Sequence, residues 1–412
     1  MGDLHASLRR TGFTRGARAR FPIGTRIAII GDSRTANAWS GTNTLLENYT
    51  HLDRLTTALR GRATSRPTDN YGVGGDTSAD ILARVATWRA SRAEIGVFLF
   101  GTNDRGAANL TLQQSIDNAD AILAAWTGDR RRVAVVVAEL PRFGANALSG
   151  TQLANHIGFN AYLRALRRER VKVVDVWSQF TSAHCHDGLH LNAAGAHLLG
   201  QAIADVLSPS FASGDVLPLT GGLMANAAMP GTGGSKSGSA TGTVATGHTL
   251  ARSATNVGTV AVAGSKVTSG GKTWQQIDVT GQPTDINVVE LRADLTIASA
   301  GLAVGNVVRG VCEFEIDAGS AYVGGVPLRL RALDNGSATL ATIEHGDYYS
   351  GAASYIPAEA FAGVRALQPF AIPASTVTLR LSVLAQLPGT ANGATGDVAL
   401  RMRITNLDLL RV

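Results

Sequence analysis

Cysteine is nearly missing from this chain: Cys185 and Cys312 are its only thiols in 412 residues. A disulfide framework is therefore excluded as the source of the fold. Long apolar runs are missing too, and nothing approaches the ~18 residues that a membrane-spanning helix needs. Charged residues are sparse at 17%, while 45% of residues are hydrophobic and mean hydropathy is +0.08. That balance excludes a disordered polyelectrolyte and supplies enough apolar material for real cores. Aromatics make up only 6%, so those cores must be largely aliphatic.

Acidic residues are scarce in one place above all. Residues 1–26 hold Arg9, Arg10, Arg15, Arg18, Arg20 and Arg26 against Asp3 alone, so that most of the net charge of +6 sits there. The rest of the chain is close to neutral, which argues against a nucleic-acid-binding face. Residues 1–25 read as a basic arm, flexible or docking. The arm lacks the apolar core of a secretory signal peptide. The compartment stays open between the cytoplasm, a phage virion and non-classical export.

A length of 412 residues suits two domains, and the chain has two grammars. Over 26–210, apolar runs (Arg26–Ile30, Ile95–Phe100, Val133–Ala138, Val171–Val176) alternate with helical patterns at Leu45–Leu59, Ala79–Arg89, Leu112–Trp126, Leu153–Arg168 and Ala193–Leu207. Runs apolar on both faces, separated by amphipathic helices, predict a doubly wound α/β/α domain with a parallel sheet. Its active site is expected beyond the carboxyl ends of the strands. Residues 211–243 are rich in Gly and Ser and read as a linker or lead-in strand. Residues 244–412 carry short alternating segments with Gly-rich turns, which predict a β-sandwich of jelly-roll type. Only Ala358–Val364 looks helical there. The sandwich is a candidate carbohydrate-binding or oligomerisation module.

The chemistry lies in the first domain. Gly31-Asp32-Ser33 directly follows a strand, so Ser33 is presented at the carboxyl edge of the sheet. Asp187-Gly188-Leu189-His190 precedes a helix. An imidazole can take the proton of an attacking hydroxyl, and an aspartate three residues earlier can hold the ring in one tautomer. Phe100-Gly101-Thr102-Asn103-Asp104 follows another strand and offers the Asn103 amide as a donor. Asn70-Tyr71-Gly72-Val73-Gly74-Gly75-Asp76-Thr77 is a glycine-rich turn whose backbone N–H groups can approach a substrate carbonyl. Asp32 and Asp104 are read as braces of these turns.

These four blocks, in this order, resemble those of the SGNH, or GDSL-type, hydrolases over about residues 26–208. The resemblance implies a flavodoxin-like sheet and a serine esterase that needs no cofactor. It implies Ser33 as nucleophile, His190 as base, Asp187 as orienting acid, and Ser33 N–H, Gly75 N–H and Asn103 as oxyanion donors. One departure is Leu191, where the family often has proline. Members include esterases, lipases, thioesterases and carbohydrate deacetylases. An O-acetylated polysaccharide is the expected substrate, with small or lipid esters as the alternative. A second resemblance, of Gly222–Ala245 and Asn406–Val412 to jelly-roll modules of phage tail proteins and carbohydrate-binding modules, adds glycan binding by a tail or adhesion protein as another reading.

The remaining candidates sit around this site. His184-Cys185-His186-Asp187 has metal-ligand residue types but no partner motif, so it is read as pocket rim with no metal. Arg34, Arg105 and Arg142 could meet a polar or acidic substrate. Tyr348, Tyr349 and Tyr355 could stack on sugar rings or close the sandwich. Trp274 is read as core. No nucleic-acid partner and no membrane span are expected, and the sandwich could support a homo-oligomer.

Overall fold

The computed structural model describes residues 21–36, 38, 46, 47, 50–106, 108–212, 222–348 and 355–412. Most of the basic arm, part of the linker and the Tyr348 and Tyr349 side chains lie outside the described residues.

Six parallel strands form the first sheet: β1 (Thr25–Gly31), β2 (Ala63–Thr64), β3 (Asn70–Gly72), β4 (Ile95–Leu99), β5 (Val133–Val137) and β6 (Val171–Val174). Both β2 and β3 pair with the same edge of β1, whose other edge leads to β4, β5 and β6 in turn. This is the flavodoxin-like strand order. Every residue of β4 and β5 is buried, because helices cover both faces. One face of β1 and β4 packs Ile27, Ile29, Val97 and Leu99 against α2 (His51–Ala58) and α7 (Ala193–Leu207). The opposite face packs Ile30, Phe98 and Val136 against Ile81 and Trp88 of α3 (Ser78–Ala83) and α4 (Val85–Arg89), Trp126 of α5 (Leu112–Thr127) and Phe159 of α6 (Gly150–Ala165).

Three sequence expectations are corrected here. The pattern over Leu45–Leu59 is helical only from His51, where Thr50 caps the helix, and Leu46–Glu47 instead pair in parallel with Asp347–Tyr348. The single helix expected over Ala79–Arg89 breaks at Arg84, whose guanidinium turns back to Asp76 and the Tyr71 carbonyl. The segment Ala358–Val364 is not helical, since Phe361–Ala366 is a strand. There Phe361, Gly363 and Val364 face packing partners that a lone sequence window does not reveal.

The second half is all β. One sheet orders Lys272–Gly281, Val398–Arg411, Val307–Ile316 and Phe361–Ala366; the other orders Asn287–Thr296, Thr378–Leu387, Leu328–Leu333 and Thr339–His345. Numbered along the chain, these strands run 1-8-3-6 and 2-7-4-5, which is jelly-roll connectivity. Ala261–Ser269 and Val244–Arg252 extend the two sheets, and Gly233–Ser237 adds an edge strand within the stretch read as a linker or lead-in strand. Trp274 is buried, as expected of a core residue.

The edge strand Phe361–Ala366 lies against α2. Arg54 donates to the Ala362 carbonyl, Phe361 packs edge-on against His197, and Arg365 pairs with Asp53 at 2.8 Å. Thr56 bonds His345, which burial holds down at about 4 and so keeps neutral. Both Arg365 and Asp53 are buried. Breaking a buried pair by removing one partner strands the other charge. Arg365→Ala is expected to cost about 3–5 kcal/mol in denaturant unfolding, whereas a loss under 1 kcal/mol would show that solvent reaches Asp53.

Candidate active site

Ser33 opens α1 (Ser33–Ala36) directly after β1, so its position is set by a strand paired along both edges. The turn is braced from below. Asp32 is fully buried, accepts from the Arg34 N–H at 2.9 Å, and takes a fork from the Arg34 guanidinium at 3.1 and 2.8 Å.

The His190 loop is a narrow hairpin. His186 N–H donates to the His190 carbonyl, Cys185 bridges Leu191, and Asn192 caps α7 by accepting from Gly195. Gly188 has φ +85°, and a Cβ there would lie 2.3 Å from the Phe143 carbonyl oxygen, so only glycine fits. Leu191, in place of the family's proline, is buried in the core.

The two loops meet. His190 Nε2 lies 2.8 Å from Ser33 Oγ, and His190 Nδ1 lies 2.6 Å from Asp187 Oδ2. The other Asp187 oxygen accepts from the backbone N–H groups of His190 and Leu189 at 2.7 and 2.9 Å. Burial would raise the Asp187 carboxyl, but the hydrogen bonds from the His190 ring and the two N–H groups outweigh it and hold the acid down at about 2. Asp187 is therefore an anion at any working pH. With the carboxylate on Nδ1–H, Nε2 is left to accept from the serine hydroxyl.

The glycine-rich turn is brought alongside by β3, which pairs Gly72 with Gly31. A Cβ on Gly74 would come within 3.9 Å of the Ser33 Cβ. Gly75 has φ +84°, a conformation that glycine adopts freely. Asn103 Nδ2 donates to the Asp76 carbonyl at 3.0 Å and so ties its block to this turn. One amide proton is used there, and the second remains for another acceptor. Asp104 accepts from Ser78 N–H, Ser78 Oγ and Ser115 Oγ, which makes it a buried brace.

Arg34 and Arg105 do not face substrate. The Arg34 side chain is 2% exposed and locked on Asp32, and Arg105 is buried with bonds to Ser115 and the Leu110 carbonyl. Residues just past a strand's carboxyl end can turn inward as readily as outward, and an aspartate two residues earlier pulls Arg34 in. Arg142 is half-buried and donates to the Thr102 carbonyl, beside the Asn103 block. Tyr355 packs edge-on against Tyr322 in the sandwich. Cys185 and Cys312 are both free and buried.

Sequence reasoning places Glu139–Phe143 near the pocket mouth but gives Glu139 no role; it lies buried, 4.0 Å from Arg34 and 3.7 Å from His156 beneath the Gly101 turn. Burial pushes its carboxyl up to about 8, with Arg34 pulling against the shift and Asp32 and Asp104 adding to it. Burial likewise lowers His156 to about 4, so this pair is neutral near pH 7 and the 3.7 Å contact is no ion pair. The only sequence signal was an acid at the end of an otherwise apolar run. Between its ordinary 4.5 and about 8, folded Glu139 keeps a proton that the unfolded chain has lost. Stability from this group is therefore present at low pH and lost as pH rises through that window. Unfolding midpoints at about pH 5 and pH 9 are expected to differ less in Glu139→Gln than in wild type; identical differences would mean that Glu139 titrates normally.

Together, the fold and this constellation are those of a serine ester hydrolase. Residues 29–198 match the model of the GDSL-like Lipase/Acylhydrolase family. The resemblance read over 26–208 thus holds for the stretch that the family model spans. No curated protein matches the sequence. Among solved structures, the chain is similar to a carbohydrate esterase family 3 protein from Talaromyces cellulolyticus, at 19% identity over 44% of this chain and 96% of that one, with a TM-score of 0.36. It is similar to a lipase/acylhydrolase from Enterococcus faecalis at 19% identity over 45% and 96%, TM-score 0.36. It is also similar to the enzymatically active domain of tailspike protein 4 of bacteriophage CBA120, at 10% identity over 68% and 30%, TM-score 0.30.

Proposed function

We propose that Ser33 is the nucleophile of a carboxylic ester hydrolase that removes O-acetyl groups from a polysaccharide. The observation that carries the reading is the unbroken chain of contacts from Ser33 Oγ through the His190 ring to Asp187, at 2.8 and 2.6 Å. His190 Nε2 takes the hydroxyl proton as Ser33 Oγ attacks the carbonyl carbon. The oxyanion is held by the Ser33 and Gly75 N–H groups and the Asn103 amide. His190 then returns the proton to the leaving alcohol, which leaves an acetyl group on Ser33. Water, deprotonated by His190, releases acetate and restores the serine.

Two features support a short acyl group on a polar alcohol. Gly74 and His190, which lie beside Ser33, are small or polar, which suits acetyl better than a lipid tail. The catalytic loop is open, with the Asp187 and His190 side chains 40% and 31% exposed, so a bulky polymer can reach it. The jelly roll fixed on α2 supplies a second surface for such a polymer.

The test is a substrate panel: acetylated glycans, with acetate release measured directly, against p-nitrophenyl esters of rising chain length. Acetate release from a glycan, with acetyl preferred among the p-nitrophenyl esters, is expected. A preference for long acyl chains would assign the site to lipids instead.

A further inference from the structure

Beside the catalytic pair stands a second imidazole that the reaction does not use. His186 Nδ1 lies 3.1 Å from the Leu191 carbonyl oxygen. A carbonyl can only accept, so Nδ1 carries the proton of the neutral ring and Nε2 presents a lone pair. That lone pair lies 3.9 Å from Asp187 Oδ2, the oxygen that also holds His190 Nδ1. The two rings stack with centroids 5.7 Å apart and planes 17° from parallel. One nitrogen from each ring and one Asp187 oxygen all lie within 4.8 Å of one another. The hairpin bonds described above fix all three residues, and their side chains are 44%, 40% and 31% exposed. One nitrogen of each imidazole and a carboxylate oxygen thus lie together where water and ions can reach; His186 Nε2 and Asp187 offer electron pairs as they stand, and His190 Nδ1 offers one once its proton moves to Nε2.

We propose that His186, Asp187 and His190 form an inhibitory site for a divalent transition metal such as Zn²⁺, which switches the esterase off reversibly. This rests on the reading of His190 as the base. Zinc takes imidazole nitrogen and carboxylate oxygen at about 2.0–2.2 Å in a tetrahedral shell that water can complete. Ligand atoms of such a shell stand about 3.3 Å apart, so Asp187 Oδ2 and His190 Nδ1 must open from 2.6 Å. The larger consequence is the tautomer. Metal on Nδ1 moves the one ring proton of His190 to Nε2. Nε2–H then faces Ser33 Oγ as a donor and cannot take the hydroxyl proton. No bond to substrate forms or breaks, and removing the metal restores the original tautomer.

His184 and Cys185 take no part. His184 Nδ1 accepts from Thr181 N–H, and burial pushes the Cys185 thiol up to about 11, away from the thiolate that binds metal.

The experiment uses the full chain without a histidine tag, titrated with zinc chloride. Hydrolysis of p-nitrophenyl acetate gives one readout and calorimetric zinc binding gives another. Wild type is expected to bind one zinc and lose hydrolysis in parallel, with recovery on adding a chelator. His186→Gln is expected to keep its zinc-free rate and to need at least about tenfold more zinc for both effects, as loss of a direct ligand should weaken binding no less than loss of an outer-shell partner does. Equal zinc affinity in the two proteins would overturn the site. Zinc that binds through His186 yet leaves hydrolysis untouched would overturn the inhibition and, with it, the role of His190 as base.

Discussion

Ser33→Ala is expected to lower kcat on p-nitrophenyl acetate by about 10⁴-fold or more and to abolish labelling by a fluorophosphonate probe. The loss should be large because the attacking oxygen itself is removed. The His190 ring sits within 2.8 Å of this oxygen, and Asp32 and Arg34 spend their side chains on holding the turn. Removing the nucleophile of an acting unit costs nearly as much as removing the whole unit, and what remains comes from binding and the oxyanion donors. A factor of 10⁴ corresponds to about 5.5 kcal/mol of transition-state stabilisation. Folding should be spared, since Ser33 Oγ has its contact with the His190 ring and fills no core. Equal labelling of variant and wild type would place the nucleophile elsewhere.

The second large effect is expected at Asp187. Asp187→Asn keeps size and shape but presents an amide that can donate to Nδ1. That favours the ring tautomer with its proton on Nε2, pointing the wrong way at Ser33. In a serine triad this exchange lowers kcat by about 10⁴-fold with little change in geometry. The wild-type carboxyl is held at about 2, so protonation of this acid should not limit activity anywhere in the usual assay range. A variant that keeps more than a tenth of wild-type kcat would mean that the loop backbone, not the carboxylate, orients the ring.

Much of this arrangement was legible because the residues that carry it are local. Gly31-Asp32-Ser33 and Gly101–Asp104 each follow a strand apolar enough to recognise alone, and Asp187 reaches His190 within one turn. The strands β2 and β3 were not legible. They have two and three residues, with Asn and Gly in β3, and exist because β1 offers an edge. The break at Arg84 depends on a bond to Asp76, eight residues away in sequence. Glu139 and the inward turn of Arg34 are tertiary facts, since one carboxylate from β5's end and one guanidinium from β1's end meet below the site. In the jelly roll, Gly247 and His248 interrupt the alternation of Val244–Arg252, whereas residues 289–293 alternate cleanly, with apolar residues buried and charged residues between them.

The docking of α2 on Phe361–Ala366 bears on how the two halves can be studied. Such a strand forms the rim of its sheet, and rims recruit other chains unless something shields them. Here the catalytic half is the shield. Cutting the jelly roll free would bare that rim and take from Arg365 its pairing with Asp53. The liberated fragment is then prone to cling to itself or to unrelated material, so adhesion measured on it would report the wound as well as the native surface.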